Sequence, residues 1–147
     1  MGNIKKFEEF INENFKNKEI EANEKYQDEL NKGKNLNQIF DEVDEINGID
    51  NAFRVYSIFL KKFTIVVDNN LIGKWYNQIN TFFSDGFLLV KGENTTTYLD
   101  TDFKEIPQRF DDGSPFYNGY ASVTLHRKDY ALDTNGNLCN PDVIEHK

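Results

Sequence analysis

Side chains able to act as nucleophiles or metal ligands are few in this chain. His126 and His146 are the only histidines, and Cys139 is the only cysteine. A catalytic or metal-bound histidine needs orienting neighbours, and a reactive cysteine needs a base or a helix N-terminus that lowers its pKa. No residues at fixed spacing would orient either histidine. The one base near Cys139 in the sequence is His146, which lies one residue from the end. We therefore predict no catalytic residue, no metal ligand and no cofactor.

The segments around Gly48 and Gly136 are rich in side-chain oxygens and invite comparison with calcium loops. An EF-hand loop requires oxygen ligands at positions 1, 3 and 5, glycine at position 6 and glutamate at position 12. With glycine at position 6, position 1 would be Val43 in the first segment and Ala131 in the second. Neither segment is therefore an EF-hand, and the second is interpreted as a hairpin turn.

Three aspartates recur at similar places in the second part of the chain: Asp68, Asp100 and Asp133. Periodic carboxylates could line a ligand-binding ridge. Catalysis by carboxylates, however, uses unequal groups that share one pocket. We interpret the three as residues that cap turns through hydrogen bonds to their own backbone.

Composition narrows the class of protein. The chain has 147 residues, with 17 Lys and Arg against 25 Asp and Glu and a net charge of -8. This length suits one domain with a real core, and the acidic balance argues against nucleic acid, which needs clustered cations. A single cysteine excludes an internal disulfide. No apolar run approaches the roughly 18 residues of a membrane span, and no signal peptide is recognised. We expect a soluble protein of the bacterial cytoplasm.

The first part of the chain, residues 1–50, has helical periodicity. Two stripes at helical spacing are formed by Ile4, Phe7, Phe10, Ile11 and Phe15, and by Leu36, Ile39, Phe40, Val43 and Ile46. Gly33 interrupts the polar segment between them, and Asn47-Gly48 is a stop signal. These patterns predict two or three helices over residues 3–50, with Phe7, Phe10, Phe40 and Val43 packed on the remainder of the protein.

From about Phe53 the periodicity changes to two. Runs rich in β-branched and aromatic residues alternate with Gly, Asn and Asp, as in RVYSIFLKK, FTIVVD and YASVTLH. Asn135-Gly136 is typical of a type I′ hairpin turn, and Asp85-Gly86 and Asp112-Gly113 are weaker turn signals. We expect about six short antiparallel strands, and hence an α+β fold.

An internal repeat of about 33 residues is the strongest signal in this part. The shift pairs a first set of residues, Phe83, Gly86, Val90 and Asp100, with a second, Phe116, Gly119, Val123 and Asp133. A degraded upstream copy would place Asp68 opposite Asp100 and Ile58 opposite Val90. The prediction is a β-hairpin repeat domain over residues 51–147, with copies at about 51–81, 82–114 and 115–147.

These repeat positions resemble the WG (KWG) β-repeat family over about residues 53–141. The segments FSDGFLLV, YLDTDFKEIPQRFDD and FYNGYASV carry the resemblance. The Trp-Gly pair that names the family is absent from its slot, which here holds Thr96-Thr97 and Asp129-Tyr130. The resemblance implies stacked β-hairpins that form a scaffold or binding surface rather than a particular chemistry.

The opening segment KKFEEFINENF resembles the short amphipathic starts of tailed-phage virion proteins. That resemblance implies a helix that docks on an assembly, with the protein located in the virion if it is phage-encoded.

These patterns favour the interpretation that the chain is a non-enzymatic protein-interaction module. Its binding face is predicted to contain exposed aromatic side chains, namely Trp75, Tyr76 and Tyr117. One alternative is a structural or accessory virion component assembled into a larger complex. The other is a small-ligand-binding protein or enzyme with an irregular pocket between helices and hairpins.

Overall fold

A computed structural model describes the backbone of residues 2–144 and the side chains of residues 17–144. Within that part, helices lie towards the N-terminus and antiparallel sheets follow, which confirms the α+β class. Helix α1 spans Gly2–Asn31 and helix α2 spans Leu36–Ile39. The predicted contacts of Phe7 and Phe10, and the placement of His146, lie outside the described side chains.

The predicted helix over residues 36–46 is wrong beyond Ile39. Glu42–Glu45 forms strand β1, which pairs antiparallel with the next strand so that Val43 lies opposite Val55. A helix continued through this segment would place its acidic residues at the negative end of the helix dipole. Pairing with the neighbouring strand satisfies the backbone without that penalty.

The strands form three antiparallel sheets, each with its strands paired in chain order. Sheet I comprises β1 with β2 (Ala52–Ser57), β3 (Lys62–Val67) and β4 (Asn70–Leu71). Sheet II comprises β5 (Gln78–Ile79), β6 (Leu88–Gly92) and β7 (Thr95–Leu99). Sheet III comprises β8 (Asp112–Gly113), β9 (Tyr120–Leu125), β10 (Lys128–Asp133) and β11 (Leu138–Cys139), followed by a 3₁₀ turn at Pro141–Val143.

Three apolar clusters hold these elements in a stack. The first joins the C-terminal half of α1 to sheet I and contains Leu30, Phe40, Val55, Val66 and Trp75. The second lies between sheets I and II and contains Ile46, Ala52, Ile65, Tyr76, Ile79, Leu88, Val90 and Leu99. The third lies between sheets II and III and contains Leu89, Tyr98, Phe110, Phe116, Ala121, Val123 and Leu132. Each sheet buries apolar side chains against a neighbouring layer, so none is stable alone.

The predicted turns have mixed outcomes. Asp85-Gly86 is a type I′ turn, because both residues have positive φ, 52° and 85°. In the Asn135-Gly136 turn only Gly136 has positive φ, so the type I′ prediction is wrong. Asp112-Gly113 is not a turn but strand β8.

No helix in the described part of the chain has an apolar stretch of the length needed to cross a membrane.

Candidate binding surface

Two of the three predicted binding aromatics are buried, so this part of the prediction is wrong. Trp75 is 7% exposed and Tyr76 is 6% exposed. The Trp75 indole donates a 2.6 Å hydrogen bond to Asn23 Oδ1, and Asn23 Nδ2 donates at 2.9 Å to the Gly73 carbonyl. This pair of bonds attaches α1 to the segment after β4. Trp75 therefore belongs to the contact between helix and sheet.

Tyr76 lies one layer further in, between sheets I and II. Its main chain exchanges two 2.8 Å hydrogen bonds with Phe63. Burial of the phenol raises the pKa of Tyr76 to about 12, an effect that Arg109 opposes. The side chain is neutral at ordinary pH and contributes to the core rather than to a surface.

Tyr117 is exposed, as predicted for a binding residue, with 71% of its surface accessible. It begins the type I′ turn formed by Asn118 and Gly119, whose φ angles are 51° and 90°. With Tyr120, Val143 and other residues it lines a small cavity of about 240 Å³ on the outer side of sheet III.

The loop between β2 and β3 presents two adjacent large apolar side chains that are exposed, a feature not predicted from the sequence. Ile58 is 66% exposed and Phe59 is 61% exposed. We call these two residues the β2–β3 tip. The alternation in RVYSIFLKK predicts one strand in which Ile58 corresponds to Val90. Val90 is buried, but β2 ends at Ser57. Ile58 therefore does not occupy a core position.

Hydrogen bonds hold the backbone of this loop in one conformation. Ile58 N donates to Asp41 Oδ2 at 2.9 Å, Leu60 N donates to Ser57 Oγ at 3.2 Å, and Lys61 N donates to the Ser57 carbonyl at 2.7 Å. Because these polar groups are satisfied within the protein, the apolar side chains at the tip are presented outward without a competing need for backbone hydration.

Lysines surround the β2–β3 tip although the protein as a whole is acidic. The Lys18 ammonium lies 5.9 Å from the centre of the Phe59 ring. Lys61 is exposed in the same loop, and Lys62 at its end forms a 3.1 Å ion pair with Glu19. The tip is thus an apolar surface bordered by three lysines and by the carboxylates of Glu19 and Asp41.

Asp100 and Asp133, which the sequence pairs at a shift of 33 residues, have the same hydrogen-bond pattern. Asp100 Oδ1 accepts from the main-chain nitrogens two and four residues later, at 2.9 and 3.0 Å. Asp133 Oδ1 accepts from the corresponding nitrogens, both at 2.9 Å. Asp68 differs, because it lies in a turn with Asn69 in which both residues have positive φ. Asp100 and Asp133 therefore cap turns as predicted, whereas the Asp68 side chain does not make this pair of hydrogen bonds in the described part of the chain.

The other predicted repeat positions fall into two classes. Gly86 and Gly119 have φ of 85° and 90° in equivalent turns. The apolar positions lie between layers: Val90, Phe116 and Val123 are buried, and Phe83 is partly buried against the cluster between sheets I and II.

A groove of about 460 Å³ lies between α1 and the segment that contains β4, and the Asn23 and Gln27 amides in its lining already have partners. Asn23 is bonded as described above. Gln27 accepts from Leu71 N at 2.8 Å and donates to Asn31 and to the Asn69 carbonyl. A ligand that used these amides would have to displace these bonds.

The titratable residues considered for chemistry are dispersed. His126 is exposed in the turn between β9 and β10, and Cys139 in β11 has its thiol 3.8 Å from the Asn137 carbonyl. Within the described residues, no three His, Cys, Asp or Glu side chains are grouped closely enough to hold a metal ion.

Comparison with known proteins places few constraints on this chain. No family model matches it, and no curated protein matches it. A solved structure described as KlHsv2 with loop 6CD replaced by a Gly-Ser linker is similar over 60% of this chain, with 14% identity and a TM-score of 0.41. The chain spans 33% of that structure's length. A similarity at this level carries no inference about fold or function.

Proposed function

We propose that this chain is a non-enzymatic protein-interaction module built from WG-like β-repeats, and that the β2–β3 tip is its contact with a protein partner. The observation that carries the proposal is the exposure of Ile58 and Phe59 on a loop in which the backbone nitrogens of residues 58, 60 and 61 are hydrogen-bonded within the protein. Large apolar side chains held outward on a rigid loop are suited to act as a binding hot spot, because little side-chain and backbone entropy is lost on association.

Strand register supports the repeat. Leu88 lies opposite Leu99 in sheet II, and Ala121 lies opposite Leu132 in sheet III. Each residue of the pair in sheet III lies 33 positions after its counterpart in sheet II. The bridge from Leu99 to Glu105 corresponds in the same way to the pairing of Leu132 with Leu138. Two sheets with one register are expected of two copies of one hairpin unit.

The outer face of sheet III supports the interpretation that this sheet is the last copy of the repeat and ends the stack. Ser122 and Ala131 occupy the positions that Leu89 and Tyr98 hold in sheet II. Leu89 and Tyr98 pack into the contact with sheet III, whereas Ser122 is exposed to solvent and the small Ala131 is buried beside the C-terminal 3₁₀ turn. Terminal repeats with a polar outer face end a stack and keep it soluble. Since α1 covers sheet I, partner contacts are expected at loops rather than at the ends of the stack.

The test places a photo-crosslinking amino acid at position 59 in the full-length protein, expressed in its native host. A matched control places it at Asn69, which is exposed in the β3–β4 turn at the opposite end of β3 from the tip. The proposal predicts a specific crosslinked protein at position 59 and none at position 69, identified by mass spectrometry.

The crosslinked protein is then purified and its affinity for the chain is measured. Phe59→Ser should weaken binding by at least about tenfold, the loss of about 1.4 kcal/mol typical of a hot-spot side chain. Tyr117→Ser serves as the control for loss of an exposed aromatic elsewhere. Equal affinity of the wild type and Phe59→Ser would exclude the tip as the contact, and turnover of a substrate by the purified chain would exclude a purely binding role.

A further inference from the structure

Three Asn-Gly pairs occur in this chain, at residues 47–48, 118–119 and 135–136. An asparagine followed by glycine is open to deamidation because glycine has no side chain to hinder attack by its nitrogen on the asparagine amide. The reaction requires the glycine nitrogen to lose its proton and to approach Cγ of the asparagine. A hydrogen bond from that nitrogen to a fixed acceptor therefore opposes it.

Two of the three glycine nitrogens are engaged. Gly119 N donates to the carboxylate of Asp85 at 2.8 Å, and Gly136 N donates to the Asp133 carbonyl at 3.1 Å. A neighbouring carboxylate also disfavours the amide anion that must form in the reaction. Asn118 and Asn135 are accordingly protected, although both side chains are exposed.

The third pair has no such protection. Asn47 and Gly48 are both exposed, and among the described residues Gly48 N donates no hydrogen bond. The Asn47 side chain likewise has no hydrogen-bond partner within that part of the chain. What distinguishes this pair is therefore the attacking nitrogen: in the described part of the chain the nitrogens of Gly119 and Gly136 donate hydrogen bonds and that of Gly48 donates none.

We infer that Asn47 is a site of spontaneous covalent modification, at which the chain deamidates in preference to Asn118 and Asn135. The Gly48 nitrogen forms a bond to Cγ of Asn47, the Cγ–Nδ2 bond breaks, and ammonia leaves with the proton that Gly48 N has given up to solvent. Water then opens the cyclic imide and leaves either aspartate or an isoaspartyl linkage.

The position of Asn47 gives this modification a structural consequence. Asn47 N donates to the Thr81 carbonyl at 2.8 Å, and Phe83 N donates to the Asn47 carbonyl at 3.0 Å, so this residue joins sheet I to sheet II. A Cβ on Gly48 would lie 3.2 Å from Cβ of Phe83. An isoaspartyl linkage adds one methylene to the main chain at this close contact. We expect the modified protein to have weaker contact between the two sheets.

The experiment incubates the full chain at mildly alkaline pH and follows each pair by peptide mapping and by ammonia release. Asn47 should convert first in the folded protein, whereas in urea the three pairs should convert at similar rates because each is the same dipeptide. Faster conversion of Asn118 or Asn135 in the folded protein would overturn the inference. So would an order of rates that is the same folded and unfolded.

Two variants test separately the reaction at Asn47 and the protection of Asn118 by Asp85. Asn47→Gln should suppress the early ammonia release, because the longer side chain forms the cyclic imide poorly. Asp85→Gly keeps a residue that accepts positive φ but removes the carboxylate, and should speed conversion of Asn118 by about fivefold, equivalent to one hydrogen bond of about 1 kcal/mol. The Asn47 rate should not change in Asp85→Gly, and an unchanged Asn118 rate would show that the hydrogen bond does not protect.

Discussion

Asp85 Oδ2 accepts a 2.8 Å hydrogen bond from the main-chain nitrogen of Gly119, so two equivalent type I′ turns in adjacent sheets are directly joined. Ser84 Oγ also donates to the Phe116 carbonyl at the same junction. The polar contacts lie at the rim of the apolar cluster between sheets II and III and fix how one sheet sits on the next.

Removal of the Asp85 carboxylate should therefore destabilise the protein. We expect Asp85→Gly to lower the free energy of unfolding by about 1 kcal/mol, a value reduced by solvent exposure of the bond. Asp85→Asn keeps an acceptor oxygen and should lose less. Urea unfolding measures both, and equal stability of wild type and Asp85→Gly would contradict a structural role for this bond.

Tyr98 and Gly113 form a second contact between sheets II and III that a double-mutant cycle can test. The buried Tyr98 hydroxyl donates to the Ser114 carbonyl at 2.7 Å, and burial raises the pKa of this phenol. A Cβ at Gly113 would lie 2.6 Å from that hydroxyl. Tyr98→Phe should cost about 1–2 kcal/mol for the lost hydrogen bond. Gly113→Ala should cost a comparable amount through steric overlap.

The two substitutions should not be additive. Phenylalanine lacks the oxygen that the alanine methyl would meet, so Gly113→Ala should be tolerated better in the Tyr98→Phe background. The measurement is the free energy of unfolding of both single variants and the double variant. Strict additivity would show that the hydroxyl is not what excludes a side chain at Gly113.

The turn between β9 and β10 is formed by residues poorly suited to its backbone. His126 and Arg127 have φ of 53° and 65°, the conformation of a type I′ turn that favours Asn and Gly. The double substitution His126→Asn and Arg127→Gly should raise the free energy of unfolding by about 1 kcal/mol. The matched variant with alanine at both positions should show no gain, and a less stable Asn-Gly variant would contradict the assigned turn conformation.

Asp133 should make stability depend on acid pH. The main-chain nitrogen of Asn137 donates to its carboxylate and is the principal reason that its pKa lies below the ordinary value of 3.8; the Asn137 side chain and the nitrogens of Asn135 and Gly136 act in the same direction. A carboxylate with a lowered pKa stabilises the folded state above its unfolded pKa, and this contribution disappears as pH falls through the folded pKa.

The comparison is between wild type and Asp133→Asn in urea at a series of pH values. Wild type should be the more stable at neutral pH, and the difference should shrink as pH falls below 3.8. A difference that stays constant over this range would mean that the carboxylate charge is not involved.

Sequence patterns anticipated the strand-rich part of the fold and several of its turns. Alternating apolar residues from Phe53 onward predicted strands, and the turn roles of Gly86, Gly119, Asp100 and Asp133 agree with their φ angles or hydrogen bonds. Strand alternation and turn conformation depend on residues that are close together in the chain. The local pattern therefore carries most of the information that decides them.

The candidate binding surface could not be predicted from local sequence patterns. An aromatic residue in a polar segment has the same local signal whether it faces solvent or a neighbouring layer. Trp75 is buried because α1, far away in the chain, supplies Asn23 and Leu30 against it. Phe59 is exposed because β2 ends at Ser57 and nothing in the described part of the chain covers the loop.

By itself, the sequence determined where apolar and polar residues alternate and where several of the turns lie. The tertiary structure decided that residues 42–45 form a strand, that Trp75 and Tyr76 are internal, and that Ile58 and Phe59 face outward. The division has a physical reason. Turn geometry and strand periodicity arise from interactions between near neighbours, whereas burial and strand pairing depend on surfaces brought together from distant parts of the chain.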